Sequence, residues 1–107
     1  MTNEYGAPLD RNGYAPSILQ GNSKCCWLCG SMAETLDRHE PFNGPYRKKS
    51  KRLGMWVYLC HSSCHLGRVH KYYADAAALK KAMQAAAMAR YRWDTEAFIL
   101  EFGKNWL

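Results

Sequence analysis

A chain of 107 residues holds one small domain, too little for a two-domain enzyme with a large buried pocket. Its 15 Lys and Arg against 9 Asp and Glu leave a formal net charge of +6. No apolar run approaches the roughly 18–20 residues of a membrane span, and no basic stretch followed by an apolar one opens the sequence, so neither a membrane location nor an export signal is expected.

In chain order, residues 1–24 read as an extended or disordered N-terminal arm. Gly6, Pro8, Gly13, Pro16 and Gly21 interrupt any helical or strand period, while Tyr5, Leu9, Tyr14, Ile18 and Leu19 give part of the arm the means to pack down. Residues 25–107 read as a single domain. Its first expected strand is residues 36–40. A stronger one is residues 55–59, β-branched and aromatic between Gly54 and Cys60. Between them Pro41, Asn43, Gly44, Pro45 and a run of cations predict a loop over residues 41–53. Asp75 is a candidate N-cap for a helix over residues 76–91, which is rich in strong helix formers with an apolar stripe at Leu79, Met83 and Ala86 or Ala87. Asp94 is expected to cap a second helix over residues 95–102, ended by Gly103 and anchored by Trp93 and Trp106. The fold class expected is α+β, a small zinc-stapled unit followed by a C-terminal helical hairpin.

All five cysteines and all four histidines fall within residues 25–70. The odd cysteine count and the absence of an export signal favour metal ligation over disulfides. Cys26 and Cys29 form one short-spaced pair, with Gly30 suited to the tight turn after it, and Cys60 and Cys64 form a second pair about thirty residues on. Two such pairs each grip one edge of a tetrahedron, which is the arrangement of a structural four-cysteine Zn2+ site. The second pair is one residue wider than the common spacing. That leaves His61 as an alternative ligand and Cys25 as a competitor for Cys26. Zinc there would staple a chain whose core is modest.

The histidines follow a second logic. Leu36-Asp37-Arg38-His39-Glu40 precedes the loop, the strand ending at Cys60, and then Cys64-His65, with His70 five residues later. In this order of strand, loop, strand and helix, the sequence resembles the HNH nucleases, also called His-Me finger or ββα-metal nucleases. The closest likeness is to small phage-type members in which two cysteine pairs bracket the unit. It covers about residues 26–70, and the ending FILEFGKNWL is similar to tails of those phage proteins. The resemblance implies a ββα-metal fold, a catalytic Mg2+ or other divalent ion, and phosphodiester hydrolysis of DNA. It also implies a location in the cytoplasm, that of the host cell for a phage protein. It makes His39 and His65 metal ligands, His70 a third ligand or phosphate contact, and Asp37 the acidic residue often found two before the pair. Glu40 stands where the family has its general-base His. A carboxylate is a weaker base than imidazole near pH 7, and neighbouring Arg38 is expected to weaken it further. Three readings follow: Glu40 is base or ligand, His39 is base and Glu40 ligand, or activity is lost. The middle Asn of the family name has no match, Asn43 lying too close to the pair.

Residues 41–74 contain no Asp or Glu. They carry Arg47, Lys48, Lys49, Lys51, Arg52, Arg68 and Lys71, so the net charge of the whole chain resides there. A concentration of cations beside a phosphodiester site suits the backbone of duplex or branched DNA, with weak sequence preference. Tyr46, Trp56 and Tyr58 are interleaved with them, more suited to strand packing than to stacking on bases. The expected partner is therefore DNA, together with a possible host or phage DNA-processing protein. The competing expectation is a non-catalytic zinc module that binds DNA or such a protein.

Overall fold

The structure, a computed structural model, describes residues 1–32 and 34–107. Two short strands, β1 (Leu36–His39) and β2 (Val57–Cys60), pair antiparallel with Leu36 opposite Cys60 and His39 opposite Val57. The alternation of a strand places Asp37 and His39 on one face and Leu36 and Arg38 on the other. Val57 and Leu59 of β2 are fully buried, the alternate residues that face the core.

The link between the strands is not the plain loop expected from its Pro, Asn and Gly. A turn of 3-10 helix (Gly44–Tyr46) leads into α1 (Arg47–Arg52). Pro45 is compatible with the first turn of a helix, where its missing N–H has no partner to lose. The cations that follow are good helix formers. Ser50 faces inward and donates from its Oγ to the Phe42 carbonyl at 2.6 Å, turning the charged side chains outward.

After Cys60 the chain enters a wide π-type helical segment (His61–Val69), then α2 (Tyr73–Tyr91) and α3 (Thr95–Phe102). Helix α2 starts two residues before the expected cap. Tyr72 takes the cap position, and Asp75 instead lies in the first turn, paired with Arg68 at 3.0 Å and favourably placed at the positive end of the helix. Asp94 does cap α3, accepting from the Ala97 N–H at 2.8 Å, and Gly103 ends it in the left-handed region.

The core lies between the strand pair and these two helices. Leu53, Met55, Val57 and Leu59 meet the stripe Leu79, Met83 and Ala87 of α2, with Phe98 and Phe102 of α3 and Phe42 closing it. Gln84, fully buried in α2, donates to Asn105 Oδ1 at 2.8 Å and accepts from the Trp106 N–H at 2.7 Å. It thereby pins the C-terminal tail. No described helix is long and apolar enough to cross a membrane.

Residues 1–24 form a strap with no helix and only isolated bridges, yet it is docked. The N–H groups of Ala15 and Ile18 donate to the carbonyls of Lys51 (3.0 Å) and Gly54 (2.9 Å). Ser17 Oγ donates to the Trp56 carbonyl at 2.7 Å, and Trp56 Nε1 returns a bond to the Ala15 carbonyl at 2.8 Å. Gly54 has φ of +72°, and a Cβ there would collide with the Pro16 carbonyl, so the crossing of the strap depends on glycine.

Candidate metal centre and histidine cleft

Cys26 and Cys29 sit on a tight turn closed by the Gly30 N–H donating to the Cys26 carbonyl at 2.8 Å. Cys60 ends β2 and Cys64 lies in the helical segment that follows. Their four sulfurs all lie within 4.8 Å of one another, and Cys29 Sγ is 3.5 Å from Cys60 Sγ. None of them is in a disulfide. The wider second spacing has a geometric reason: Cys60 is on a strand end and Cys64 about one turn into a helix, so four residues bring the sulfurs together. Cys25 stays outside the group, its carbonyl accepting from Gln20 Nε2 at 2.7 Å. His61 turns away to Asp37.

The electrostatics of the four thiols are those of a cation site. Burial opposes ionisation of Cys26, but amide donors of Cys29, Cys60 and Leu28 and the Cys64 thiol outweigh it and bring its pKa down to about 6. Burial, then the neighbouring Cys29 and Cys26, push Cys60 up to about 12; burial, then Cys26 and Cys29, push Cys64 up to about 11. The cluster alone favours the Cys26 thiolate and opposes those of Cys60 and Cys64. A divalent cation is the kind of partner that lets several ionise together.

The second cluster is next door. His39 at the end of β1, His65 in the helical segment and His70 just beyond it bring ring nitrogens within 4.8 Å of one another. His65 Nε2 and His70 Nε2 are 3.0 Å apart. Asp37 Oδ2 lies 2.8 Å from His65 Nδ1 and 2.6 Å from His61 Nδ1. Burial opposes ionisation of Asp37, but hydrogen bonds from His65 and His61 prevail and hold its carboxyl below the usual range. A carboxylate on Nδ1 fixes the His65 tautomer and aims the lone pair of Nε2 at the other two rings.

His39 is buried, and burial first, then the charges of His65, His70 and Lys80, push its pKa down to about 4 from 6.5. It is therefore neutral at pH 7, as a metal ligand must be. A lowered imidazole pKa gives stability that is fully present above pH 6.5 and lost as pH falls toward 4. The amount is up to about 3 kcal/mol. Urea denaturation of wild type and His39→Gln at pH 7 and pH 4 should show the wild type losing more stability than the variant by about that amount. Equal losses would refute it.

The three imidazoles open into a cleft of about 470 Å³ that Glu40, Asn43 and Arg47 also line. Glu40 is buried with both oxygens engaged. Arg47 Nε donates to Oε1 at 2.9 Å and the Tyr14 hydroxyl to Oε2 at 3.2 Å. Arg38, the cation expected beside Glu40, pairs instead with Asp10 at 2.8 Å and stacks over Tyr14. Glu40 is not among the groups that share the histidine point.

The structure spreads the basic residues rather than gathering them. Of those singled out from the sequence, Arg47 reaches the cleft, while Lys49 pairs with Glu101, Arg52 with Glu4 and Arg68 with Asp75. Lys48 is exposed, and Lys51 lies over the Tyr14 ring. The acids that answer these cations lie outside residues 41–74, so a count along the chain overstates the local charge. Asn43, which has no family match in the sequence, lines the cleft, and Tyr14, expected only to help the arm pack down, reaches it through Glu40. Neither carries a local signal, since Tyr14 arrives on the strap and Asn43 by the turn into α1. Comparison with protein-family models, with curated proteins and with solved structures found no match to this chain.

Proposed function

We propose that this chain is a metal-dependent hydrolase of nucleic-acid phosphodiesters. Zinc would be held by Cys26, Cys29, Cys60 and Cys64 as a staple, and a separate divalent cation by His39, His65 and His70. The observation that carries the reading is the convergence of three imidazoles from two distant parts of the chain on one point of a cleft rimmed by Arg47. Support also comes from the order of elements: His39 ends the first strand, and His65 lies in the helical segment after the second. That is the order of the HNH nucleases the sequence resembles.

A divalent cation bound there would draw charge from the phosphoryl and leaving oxygens and acidify the attacking water. Hydrolysis then does not rest on Glu40 as base. Glu40, tied to Arg47 and Tyr14, acts as a positioning residue that holds the guanidinium toward a phosphate. Asn43 offers an amide beside it, and Asp37 orients His65. The donor set also revises the ion. Mg2+ prefers oxygen ligands, whereas three imidazoles favour later transition cations, with affinity rising from Mn2+ to Ni2+.

Nicking of supercoiled plasmid by the zinc-loaded protein tests the proposal. Relaxed circles are expected with added Ni2+ or Mn2+ and fewer with Mg2+. No nicking under any cation, with DNA binding retained, would overturn it in favour of the non-catalytic zinc module.

A further inference from the structure

We propose that the histidine cleft continues into a track for an unpaired polynucleotide strand, leading past Asn43 to a subsite made by Lys80, Lys104 and Trp106. The proposal deepens the hydrolase reading and rests on it for the scissile position, naming the substrate class as single-stranded or locally unpaired nucleic acid.

Three observations carry it. First, a second groove of about 330 Å³ neighbours the cleft, Asn43 lining both, so a strand leaving the cleft past Asn43 would enter it. Tyr46 and Trp106 are among the walls of this second groove. Second, Lys80 Nζ lies 4.2 Å and Lys104 Nζ 4.3 Å from the centre of the Trp106 ring. Neither lysine has an acidic partner among the described residues, in contrast to Arg47, Lys49, Arg52 and Arg68, each of which has one. Two ammonium groups gathered on one ring without a counter-charge make a place for phosphate. Third, the ring is restrained. Buried Gln84 accepts from the Trp106 backbone N–H and so pins the main chain, while the indole is partly buried against the core, which limits its further ordering cost.

Cations flanking an aromatic ring are the elements of sequence-tolerant single-strand binding. Phosphates would draw the flexible lysines off the indole, and an unstacked base would take the ring face they leave. A duplex keeps its base faces inside the helix and has nothing to offer Trp106. Cations also lie over aromatic rings at the other end of the cleft, although Arg38 is there paired with Asp10. There Arg38, shared with a neighbouring groove, lies 4.3 Å from the Tyr14 ring centre, and Lys24 lies 6.0 Å from that of Tyr58.

The test is fluorescence anisotropy with no divalent cation added, using a fluorescein-labelled oligothymidylate and a duplex of equal length. Wild type should bind the single strand at least about fivefold more tightly, the worth of one modest stacking contact. Lys80→Gln with Lys104→Gln should weaken single-strand binding about tenfold and lower the log–log salt slope by about 1.4, the release expected for two phosphates on a single strand. Lys81→Gln, an exposed lysine on the same helix, should change neither. Duplex bound as tightly as the single strand, or an unchanged slope in the double variant, would overturn the track. Binding does not depend on turnover. Wild type that binds as predicted but nicks nothing would uphold the track and sink the hydrolase reading alone.

Discussion

Cys60→Ser, and equally the wild type stripped by a strong chelator, should lack a cooperative thermal transition and show largely unfolded circular dichroism at 25 °C. Cys60 is fully buried at the end of β2 and joins three parts of the chain: the Cys26–Cys29 turn, the strand pair and the helical segment. A structural zinc on four thiolates supplies on the order of 10 kcal/mol of apparent folding free energy. That is comparable to the whole stability of a typical domain, about 5–15 kcal/mol. Without the cation, a folded chain would have to keep the Cys60 and Cys64 thiols buried and un-ionised, and nothing replaces the link. Cys25→Ser should leave both zinc content and melting temperature unchanged, because Cys25 stands outside the sulfur group. A Cys60→Ser protein that melts like wild type would refute the staple.

The second large effect belongs to His65→Ala. It should abolish plasmid nicking, a loss of at least about a hundredfold, while zinc content and melting temperature stay close to wild type. His65 is half-buried, and its ring touches only Asp37 and the two other histidines among the polar and aromatic contacts described. Little packing is lost with it. Asp37→Asn keeps the shape but weakens the orienting bond, and changes of this kind to the partner of a metal-ligating histidine cost about 10–100-fold. Glu40→Gln should cost less than His65→Ala, since Glu40 acts through Arg47. If Glu40→Gln were instead as inactive as His65→Ala, the carboxylate would be the base after all.

These expectations separate what was legible in the chain from what was not. The sulfur group was legible because each cysteine pair is local, and short spacing on a turn or helix start dictates where sulfurs can go. Helix α3 was legible for the same reason, its Asp94 cap and Gly103 stop both acting within a few residues. The histidine cluster was legible in order but not in partnership. Asp37 reaches His65 because alternation along β1 puts Asp37 and His39 on one face, while Glu40 falls past the strand end and meets Arg47 and Tyr14. Glu40 looked like a member of the reacting set because it is adjacent in sequence to His39, and one step along the backbone is enough to turn a side chain elsewhere. The strap was the least legible part. Many of its bonds end on backbone carbonyls distant in sequence, from backbone N–H groups and from the Asn3, Ser17 and Trp56 side chains, and its crossing depends on Gly54 lacking a side chain; neither leaves a pattern in residue type. The cations of residues 41–74 misled in a similar way, because their acidic partners Glu4, Glu40, Asp75 and Glu101 lie outside that stretch.

The central claim is that two metal sites of different chemistry lie side by side, four thiolates for folding and three imidazoles for reaction. Calorimetric titration of Ni2+ into protein reconstituted with a single equivalent of zinc, with released zinc measured in the same samples, tests it most directly. One equivalent of Ni2+ should bind the wild type without releasing zinc, and none should bind His65→Ala. No Ni2+ binding by wild type, binding that persists in His65→Ala, or one zinc released for each Ni2+ taken up would contradict the second site.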